Sequence, residues 1–473
     1  MPVKQWLLLV VEWVRLISVE PTMMLYMMAF MLTSVVEQAL FVDKACRSNH
    51  NFTAEICDNL NAYEDQKKIV QVTVSEFHQW NDIAGHVVPI FLALFMGAWS
   101  DKRGRKIPLL LGLIGKFIYS GMVVVNTLKP DWNVEYIIYT ATIPMAFTGA
   151  DVAIFAAAFS YLSDVSSSDS RTLRVTILEV CYLATMPTGI ALGSYLFTQV
   201  TNRSYTIMFS INASLLLLSI LYTSIFLKWR TNDRQRPLSE ASNVITDFFD
   251  WNHVIETFRT LLKKRPENKR SYLILLILAI GFYSFQRDEK QMSYLYLQLV
   301  LGWIFEQVSK FRTYQSALQD VVLLTAIPLM TKVFGWRDTT IMIIGSSCHS
   351  IARIFFAAAR VDWLIYFGGF FGAFGPIVAP VIRSMVSKLV SNNERGKAFS
   401  LLSVTDNAIP LFSGIAYNQV YQATIHTNPE AIFYVTITTQ VLVLLIGCYI
   451  HIRLRSNSLN TYEIEDINND DKT

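Results

Sequence analysis

The decisive stretch of this chain is Gly97-Ala98-Trp99-Ser100-Asp101-Lys102-Arg103-Gly104-Arg105-Lys106, a basic turn between two long apolar runs. Its four cations cannot lie in hydrocarbon, so the turn must lie at a membrane surface. Basic loops are retained in the cytosol, which predicts a cytosolic turn. This cytosolic turn is either a functional loop or an ordinary basic membrane-exit loop, whose charges only orient the chain.

Composition places the chain among membrane proteins. Of its 473 residues, 52% are hydrophobic and only 16% are charged, whereas soluble domains carry about 25% charged residues. The net charge of +3 gives no reason to expect a nucleic-acid partner. Apolar stretches of about twenty residues cross a hydrocarbon core of about 30 Å. The sequence predicts an all-α membrane protein with twelve transmembrane helices, near 21–42, 78–99, 106–128, 136–162, 172–198, 205–227, 271–296, 314–333, 339–359, 363–388, 397–420 and 431–451.

A long polar interruption divides these spans into two six-helix halves. The predicted parts are a cytosolic N-terminal segment (1–20), a first half (21–227), a cytosolic linker (228–270), a second half (271–453) and a cytosolic acidic tail (454–473). An even number of spans places both termini on the same side, and the distribution of Lys and Arg predicts the cytosol. Two related halves would place a binding site at the midplane between them.

The linker itself contains a helical pattern. Apolar residues recur there at three- and four-residue spacing, which predicts an amphipathic helix on the membrane surface or beneath the bundle. The apolar positions are Val244, Phe248, Trp251, Ile255, Phe258 and Leu262.

The first non-cytosolic loop carries two features of the secretory pathway. Asn51-Phe52-Thr53 is a glycosylation acceptor. Cys46 and Cys57 flank it, and an oxidising lumen favours their pairing as a disulfide.

Ionisable residues inside the spans are the main functional signal, because each costs about 2.5–3.5 kcal/mol on insertion scales. A proton-coupled carrier uses buried carboxylates, and a buried Arg stays cationic and can fork onto a carboxylate or phosphate. Besides a cluster in span 7, the residues are Glu37, Asp82, Lys116, Asp151, Glu179, Asp320, Arg353, Arg383 and Asp406.

Three of these residues are candidate site residues. Glu179 is the preferred proton acceptor, with a static ion pair as its alternative. Asp151 lies among small residues that leave room for water; its alternative is a helix–helix hydrogen bond. Arg383 follows a proline- and glycine-rich stretch and is either an anion-binding or a snorkelling residue. The default for Lys116, Asp320, Arg353 and Asp406 is pairing among themselves.

Two resemblances add to this reading. The basic turn reads G-x-x-x-D-K-x-G-R-K and resembles the loop between spans 2 and 3 of major facilitator superfamily transporters. There the first Gly allows close helix approach, and the Asp and Arg form a charge relay that latches one conformation. The resemblance therefore implies a conformational latch at Gly97, Asp101, Gly104 and Arg105.

The stretch from Ser163 to Arg174, which reads S-D-V-S-S-S-D-S-R-T-L-R, resembles the span 4–5 loop of the proton-coupled folate transporter family, solute carrier family 46. Val19-Glu20-Pro21 and Ala379-Pro380-Val381-Ile382-Arg383 are also similar to that family. The resemblance implies proton coupling at Glu179, with Asp151, and substrate binding at Arg383 and Asp151.

One departure from that family concerns span 7. The folate-transporting member carries a His there, where this chain has Gln286-Arg287-Asp288-Glu289. Asp288 and Glu289 therefore join Glu179 as candidates for proton coupling.

The function expected from these observations is a proton-coupled secondary active symporter of an organic anion, folate-like or amphiphilic. The alternatives are a lysosomal exporter of muropeptide- or cyclic-dinucleotide-like cargo, a proton antiporter, and a membrane receptor that does not transport. An enzyme is not expected, because the sequence has no H-E-x-x-H or G-x-S-x-G motif, and neither a cofactor nor a metal is predicted. The expected partners are the anion, protons and the lipid bilayer of the plasma or lysosomal membrane.

Overall fold

The computed structural model describes residues 18–166, 168–231, 235–237, 240, 243–249, 251, 255, 269–390 and 395–456. The described residues form helices joined by turns, and no strand occurs among them. Twelve main helices follow one another along the chain: α1 (Glu20–Lys44), α2 (Glu64–Arg103), α3 (Lys106–Thr127), α4 (Ile143–Ala146 and Ala150–Val165), α5 (Ser168–Tyr195), α6 (Tyr205–Phe226), α7 (Lys269–Ser284 and Glu289–Val300), α8 (Phe305–Pro328), α9 (Asp338–Ala358), α10 (Asp362–Gly372 and Val378–Leu389), α11 (Arg395–Ala408 and Pro410–Thr424) and α12 (Ala431–Ser456).

Ten of these helical segments in the described chain are long and apolar enough to cross a membrane. The other two are α7 and α11. Helix α7 is broken by the 3-10 turn Phe285–Arg287, where its charges cluster, and α11 is broken just before Pro410. Both breaks free backbone polar groups, which are tolerated at membrane depth only where protein or a water-filled cavity covers them.

Each half is held together by close helix packing. In the first half α1 packs against α5 and α6, and in the second half α9 packs against α12 and α10. Gly193 shows how close these contacts are, because a Cβ there would overlap the carbonyl oxygen of Leu32 on α1. Small residues at such contacts let helix backbones approach in lipid.

The two halves meet along two pairs of helices. Helix α2 packs against α11, and α5 packs against α8. In two related six-helix halves, α2 corresponds to α8 and α5 corresponds to α11. The pairs α2–α11 and α5–α8 are therefore equivalent, as two structurally related halves require. The space between the halves is therefore lined by equivalent helices from both.

The two ends of the bundle differ chemically. The disulfide end carries the Cys46–Cys57 bond, whose Cα atoms are 5.8 Å apart, and the exposed Asn51. The basic end carries the turn at 101–106. Residues 1–17 of the predicted N-terminal segment 1–20 and residues 457–473 of the predicted tail 454–473 lie outside the described residues, as do Phe258, Leu262 and most of the linker.

Candidate functional site

Polar contacts between the halves seal the disulfide end. Asn61 Nδ2 donates to the Gly302 carbonyl at 2.9 Å, and Gln71 Nε2 donates to the Leu295 carbonyl at 3.1 Å. The Tyr421 hydroxyl donates to Gln71 Oε1 at 2.9 Å. These bonds join α2 and the turn before it to α7, to the turn after α7 and to α11, so the halves are closed against each other at this end.

A pair of buried carboxylic acids lies directly below this seal. Asp82 of α2 and Asp288 of α7 are 4% and 6% exposed, and they are electrostatic neighbours across the interface between the halves. Ser413 of α11 donates to Asp288. A Cβ at the adjacent Gly414 would lie 3.0 Å from Asp82 Oδ2, so both acids touch the same turn of α11.

No cation bridges these two acids among the described residues. Gln291 Nε2 donates to Asp82 Oδ1 at 3.2 Å, while Asp82 Oδ2 is buried without a described partner. Besides Asp82, the charged or titratable neighbours of Asp288 include Arg287, His86 and Tyr417. Because His86 Nδ1 donates to the Asp82 carbonyl at 2.8 Å, the His86 ring is held beside the pair. Two ionised carboxylates in such a site would repel strongly, so one shared proton stabilises it.

A second polar cluster lies inside the first half. Lys116 Nζ of α3 lies 2.8 Å from Asp151 Oδ1 of α4, and Tyr26 of α1 donates to the same carboxylate. Glu37, which accepts from the Tyr119 hydroxyl, has Lys116 and Asp151 as charged neighbours. Asp151 is therefore the acid of an ion pair and not an isolated carboxylate.

The corresponding cluster in the second half is fully buried. Arg353 Nε of α9 lies 3.1 Å from Glu289 Oε2 of α7, and Thr436 of α12 donates to Glu289. Both charged residues are at most 5% exposed. A carboxylate that is both paired and buried acts mainly in the packing of its helices, because removal of its cation would leave an uncompensated buried charge.

Exposed charges face each other on the basic-end side of the seal. Glu179 of α5 is exposed and has no hydrogen bond or ion pair with another described residue, and Arg383 of α10 is its charged neighbour from the other half. The Arg383 side chain is half-exposed and lies 3.5 Å from Asp406 Oδ2. Arg287 Nη2 lies 2.9 Å from the other oxygen of Asp406, so two arginines share one carboxylate.

The basic turn folds back on the first half. Arg105 pairs with Asp101, its Nε lies 3.3 Å from Asp164 Oδ2, and its Nη1 donates to the Gly97 carbonyl at 3.2 Å. Gly104 has a φ of +113°, and a Cβ there would lie 2.6 Å from the Trp229 carbonyl oxygen. A Cβ at Gly97 would meet no described atom within 4 Å, so the close approach expected at Gly97 occurs at Gly104 in this conformation.

The described part of the linker docks under α2. Arg103 makes a two-pronged contact with Asp247, with Nε–Oδ2 and Nη2–Oδ1 distances of 2.7 and 2.9 Å. The Trp99 indole donates to Asp247 at 3.1 Å, and its ring packs on Phe248. These bonds, chiefly those from Arg103, lower the pKa of Asp247. Within the predicted amphipathic helix the described residues Val244–Phe248 are helical, and they lie against the basic end of α2.

Comparison with known proteins agrees with this arrangement. The family model described as Major Facilitator Superfamily matches residues 22–318. The chain belongs to the major facilitator superfamily. Members of this superfamily are membrane transporters and not enzymes, so the expected membrane transport function is confirmed at that level.

Curated relatives of this superfamily member belong to solute carrier family 46, which confirms the resemblance found in the sequence. It is 24% identical to a probable peptidoglycan muropeptide transporter of Drosophila melanogaster, over 87% of this chain and 80% of that protein. It is 25% identical to the proton-coupled folate transporter of Bos taurus, over 80% and 81%. A lysosomal proton-coupled steroid conjugate and bile acid symporter of Gallus gallus is 24% identical, over 87% and 89%.

Solved structures confirm the major facilitator fold. A D-xylose–proton symporter superposes with a TM-score of 0.65 at 13% identity, covering 92% of this chain and 97% of that chain. The human organic anion transporter MFSD10 (TETRAN) gives a TM-score of 0.61 at 14% identity, covering 91% and 98%.

The predicted site residues thus fall into separate places in this superfamily member. Glu179 and Arg383 lie together, while Asp151, Asp288 and Glu289 lie in three different clusters. The expectation that Lys116, Asp320, Arg353 and Asp406 pair among themselves is wrong. Lys116 pairs with Asp151, Arg353 with Glu289, and Asp406 with two arginines, while Asp320 Oδ2 is buried without a described partner.

The sequence reasoning missed one arrangement. Asp82 was recognised as a buried acid but not as the neighbour of Asp288. The available signal was that both helices carry an acid at a similar depth from the disulfide end. Depth alone does not show which faces of two helices meet.

Proposed function

We propose that this protein is a proton-coupled symporter of an organic anion that works by alternating access. The observation that carries the proposal is the buried Asp82–Asp288 pair, which lies across the interface of the two halves directly below the sealed disulfide end. Its stability depends on a proton, and it exists only while the halves are closed there. Protonation and the conformation of the transporter are thereby linked.

Protonation of the Asp82–Asp288 pair controls whether the disulfide end is closed. A proton bound to the pair removes the repulsion between Asp82 and Asp288 and permits closure of the disulfide end. Loss of that proton toward the basic end restores the repulsion and favours reopening. Glu179 is the second proposed proton site, since it has no described partner and faces Arg383.

The anion binds between the halves in this proposal. Arg383 and Arg287 compete for the single carboxylate of Asp406, so one guanidinium can be released to a cargo carboxylate or phosphate. Asp151 orders the first half through its pair with Lys116 and the Tyr26 hydroxyl. Glu289 orders the second half through Arg353.

Orientation follows from charge. We place the basic end and both termini in the cytosol, and Asn51 with the Cys46–Cys57 disulfide on the extracellular or lumenal side. Glycosylation of Asn51 is part of this proposal. An Asn51→Gln variant should lose the mobility shift that a glycosidase produces in the wild-type protein, and an unchanged shift would contradict it.

The latch and linker belong to the basic end. Arg105, Asp101 and Asp164 hold the turn in one arrangement within the first half, and Gly104 allows the turn to contact Trp229. Opening and closing of the basic end requires this turn to move relative to the second half. The latch should therefore affect the rate of the cycle more than cargo affinity.

The test is flux in sealed liposomes that contain the purified full chain. Labelled folates, peptides and nucleotide-like anions are offered with and without an acidic outside pH, and with and without a protonophore. Accumulation that requires the proton gradient supports symport. Stimulation by the opposite gradient would show antiport, and binding without accumulation would show a receptor; either result overturns the proposal.

The relatives' names state three cargo classes for this experiment. They are a muropeptide, folate, and steroid conjugates with bile acids. The stretch Gln286-Arg287-Asp288-Glu289 contains no His, which argues against a His-dependent folate site in this chain. Muropeptide-like cargo and a lysosomal membrane are therefore the second candidate.

A further inference from the structure

Two cations between α7 and α8 have no carboxylate partner among the residues that the structure describes. Arg312 of α8 donates through Nη2 to the Lys290 carbonyl at 2.8 Å and to Ser293 Oγ at 2.6 Å, which are neutral acceptors. Lys290 Nζ makes no hydrogen bond or ion pair with another described residue. The proposed mechanism does not use either cation.

The surroundings of Lys290 are strongly positive. Its charged neighbours are the cations Arg312, Arg287 and Arg353 and a single carboxylate, Glu289. That carboxylate is already engaged by Arg353. A set of like charges at membrane depth is costly unless an anion compensates it. In the described part of the protein Glu289 is engaged by Arg353 and Asp406 by Arg287, so neither carboxylate is left for Lys290 and Arg312. A charge that compensates these two cations must come from outside.

Lys290 is also within reach of a solute. Its side chain is exposed, and the α7 segment that carries it packs against α2 of the first half and against α11 and α12 of the second. An exposed cation on a segment held between the halves lies at the space between them. The break in α7 at Phe285–Arg287 places Lys290 at the first turn of the second α7 segment. The cation therefore belongs to the cavity and not to the lipid-facing surface.

We propose that Lys290 and Arg312 form an anion subsite for a doubly charged cargo group, either a phosphate ester or two neighbouring carboxylates. Arg312 is fixed by its bonds to Lys290 and Ser293 and supplies a rigid guanidinium, while Lys290 supplies a mobile ammonium. The subsite rests on the proposed function because the cargo must enter the same cavity. It restricts that function to anions that carry at least two charges.

Binding is measured on the purified full chain in detergent, without any gradient. The probes are inorganic pyrophosphate and succinate, each compared with chloride at equal ionic strength, and the readout is the rise in unfolding temperature with probe concentration. Lys290→Gln should weaken binding of the effective probe by about tenfold to a hundredfold. Lys290→Arg should stay within about threefold of the wild type, because it keeps the charge.

Lys310→Gln is the matched control, since Lys310 is an exposed cation on α8 outside the cluster. Its binding should equal that of the wild type. Equal binding by wild type and Lys290→Gln overturns the subsite, and so does an equal loss in Lys290→Gln and Lys310→Gln. Stabilisation by pyrophosphate or by succinate that depends on Lys290 supports the subsite and shows whether it takes a phosphate group or a dicarboxylate.

The liposome experiment keeps the two proposals distinct. Lys290-dependent binding without proton-driven flux would overturn symport and leave the subsite. Proton-driven flux with binding that ignores Lys290 would overturn the subsite and leave symport.

Discussion

Replacement of Asp82 by Asn tests the link between protons and the closed gate. The amide has the shape of the carboxylic acid and cannot ionise, so it imitates the protonated acid at every pH. The Asp82→Asn variant should therefore remain closed at the disulfide end under conditions in which the wild-type protein opens. The Gln291 amide has an equivalent acceptor in the new Asn, so the exchange costs little packing.

The size of the effect follows from the geometry. Asp82 and Asp288 contact adjacent residues of α11, Gly414 and Ser413. Like charges within about 6 Å of each other disfavour joint ionisation. At an effective dielectric constant of about 20, two unit charges about 6 Å apart repel by about 3 kcal/mol. That repulsion changes the ratio of closed to open gate by about a hundredfold, and Asp82→Asn should remove this change.

The assay is a distance measurement across the disulfide end. Spin labels are attached at Asp131→Cys and Thr427→Cys, two exposed positions on opposite halves. The free cysteines Cys181, Cys348 and Cys448 are first replaced by Ala. In the wild-type background, a long-distance population should grow as the pH is raised from about 5 to about 8, whereas Asp82→Asn should keep the short distance throughout.

Asp65→Asn serves as the control, because Asp65 is an exposed acid at the start of the same helix. It should respond to pH like the wild-type protein. The reasoning is refuted if Asp82→Asn opens with pH as the wild type does. It is equally refuted if Asp65→Asn flattens the response, because the effect would then come from general charge.

The remaining predictions concern the cavity and the basic end. Glu179→Gln should abolish pH-dependent uptake while surface delivery, measured by biotinylation, is unchanged; normal proton-driven flux would remove Glu179 from the mechanism. Arg105→Ala should slow turnover about tenfold or more with little change in the KM, because it leaves Asp164 without its cation; wild-type initial rates would exclude a latch. Asp247→Asn should release the linker to limited proteolysis by removing bonds that stabilise docking by about 1.5–3 kcal/mol. Docking of the wild-type linker should not change between about pH 5 and about pH 8. The pKa of Asp247 is lowered in the docked state, so its stabilisation is complete above the ordinary carboxyl pKa and is lost only as the pH falls through the lowered value. Linker release at about pH 6 would contradict this.

Much of the fold could be predicted from the sequence because its signals are local. The length of an apolar run determines whether it can cross a bilayer, and all twelve predicted spans correspond to helices. The basic turn is equally local. Its Gly104 has a φ of +113°, which glycine adopts without the steric penalty that a Cβ would cause. The charges Arg287 to Lys290 were recognised as an interruption of span 7, and the helix is indeed broken there.

The partners of the buried charges could not be predicted in the same way. Lys116 and Asp151 are separated by 35 positions and lie on α3 and α4, so their pairing depends on the relative rotation of two helices. The same holds for Glu289 and Arg353, and for Asp82 and Asp288 across the two halves. A single sequence gives the depth of each residue but not which faces meet.

The separation of the charges constrains how coupling works. In the described part of the chain, the proposed cargo cations Lys290 and Arg312 have no carboxylate partner that a proton could neutralise, and the acids of the gate have no cation between them. Between the gate acids and the Lys290–Arg312 subsite, cargo and proton therefore act on different groups, and coupling between these two sites passes through the closure of the halves rather than through direct contact. Pyrophosphate affinity should accordingly stay within about threefold in Asp82→Asn when both proteins are held closed at pH 5, because the variant changes the conformational equilibrium and not the subsite. A larger loss in that comparison would mean that Asp82 touches the cargo, and the two sites would have to be treated as one.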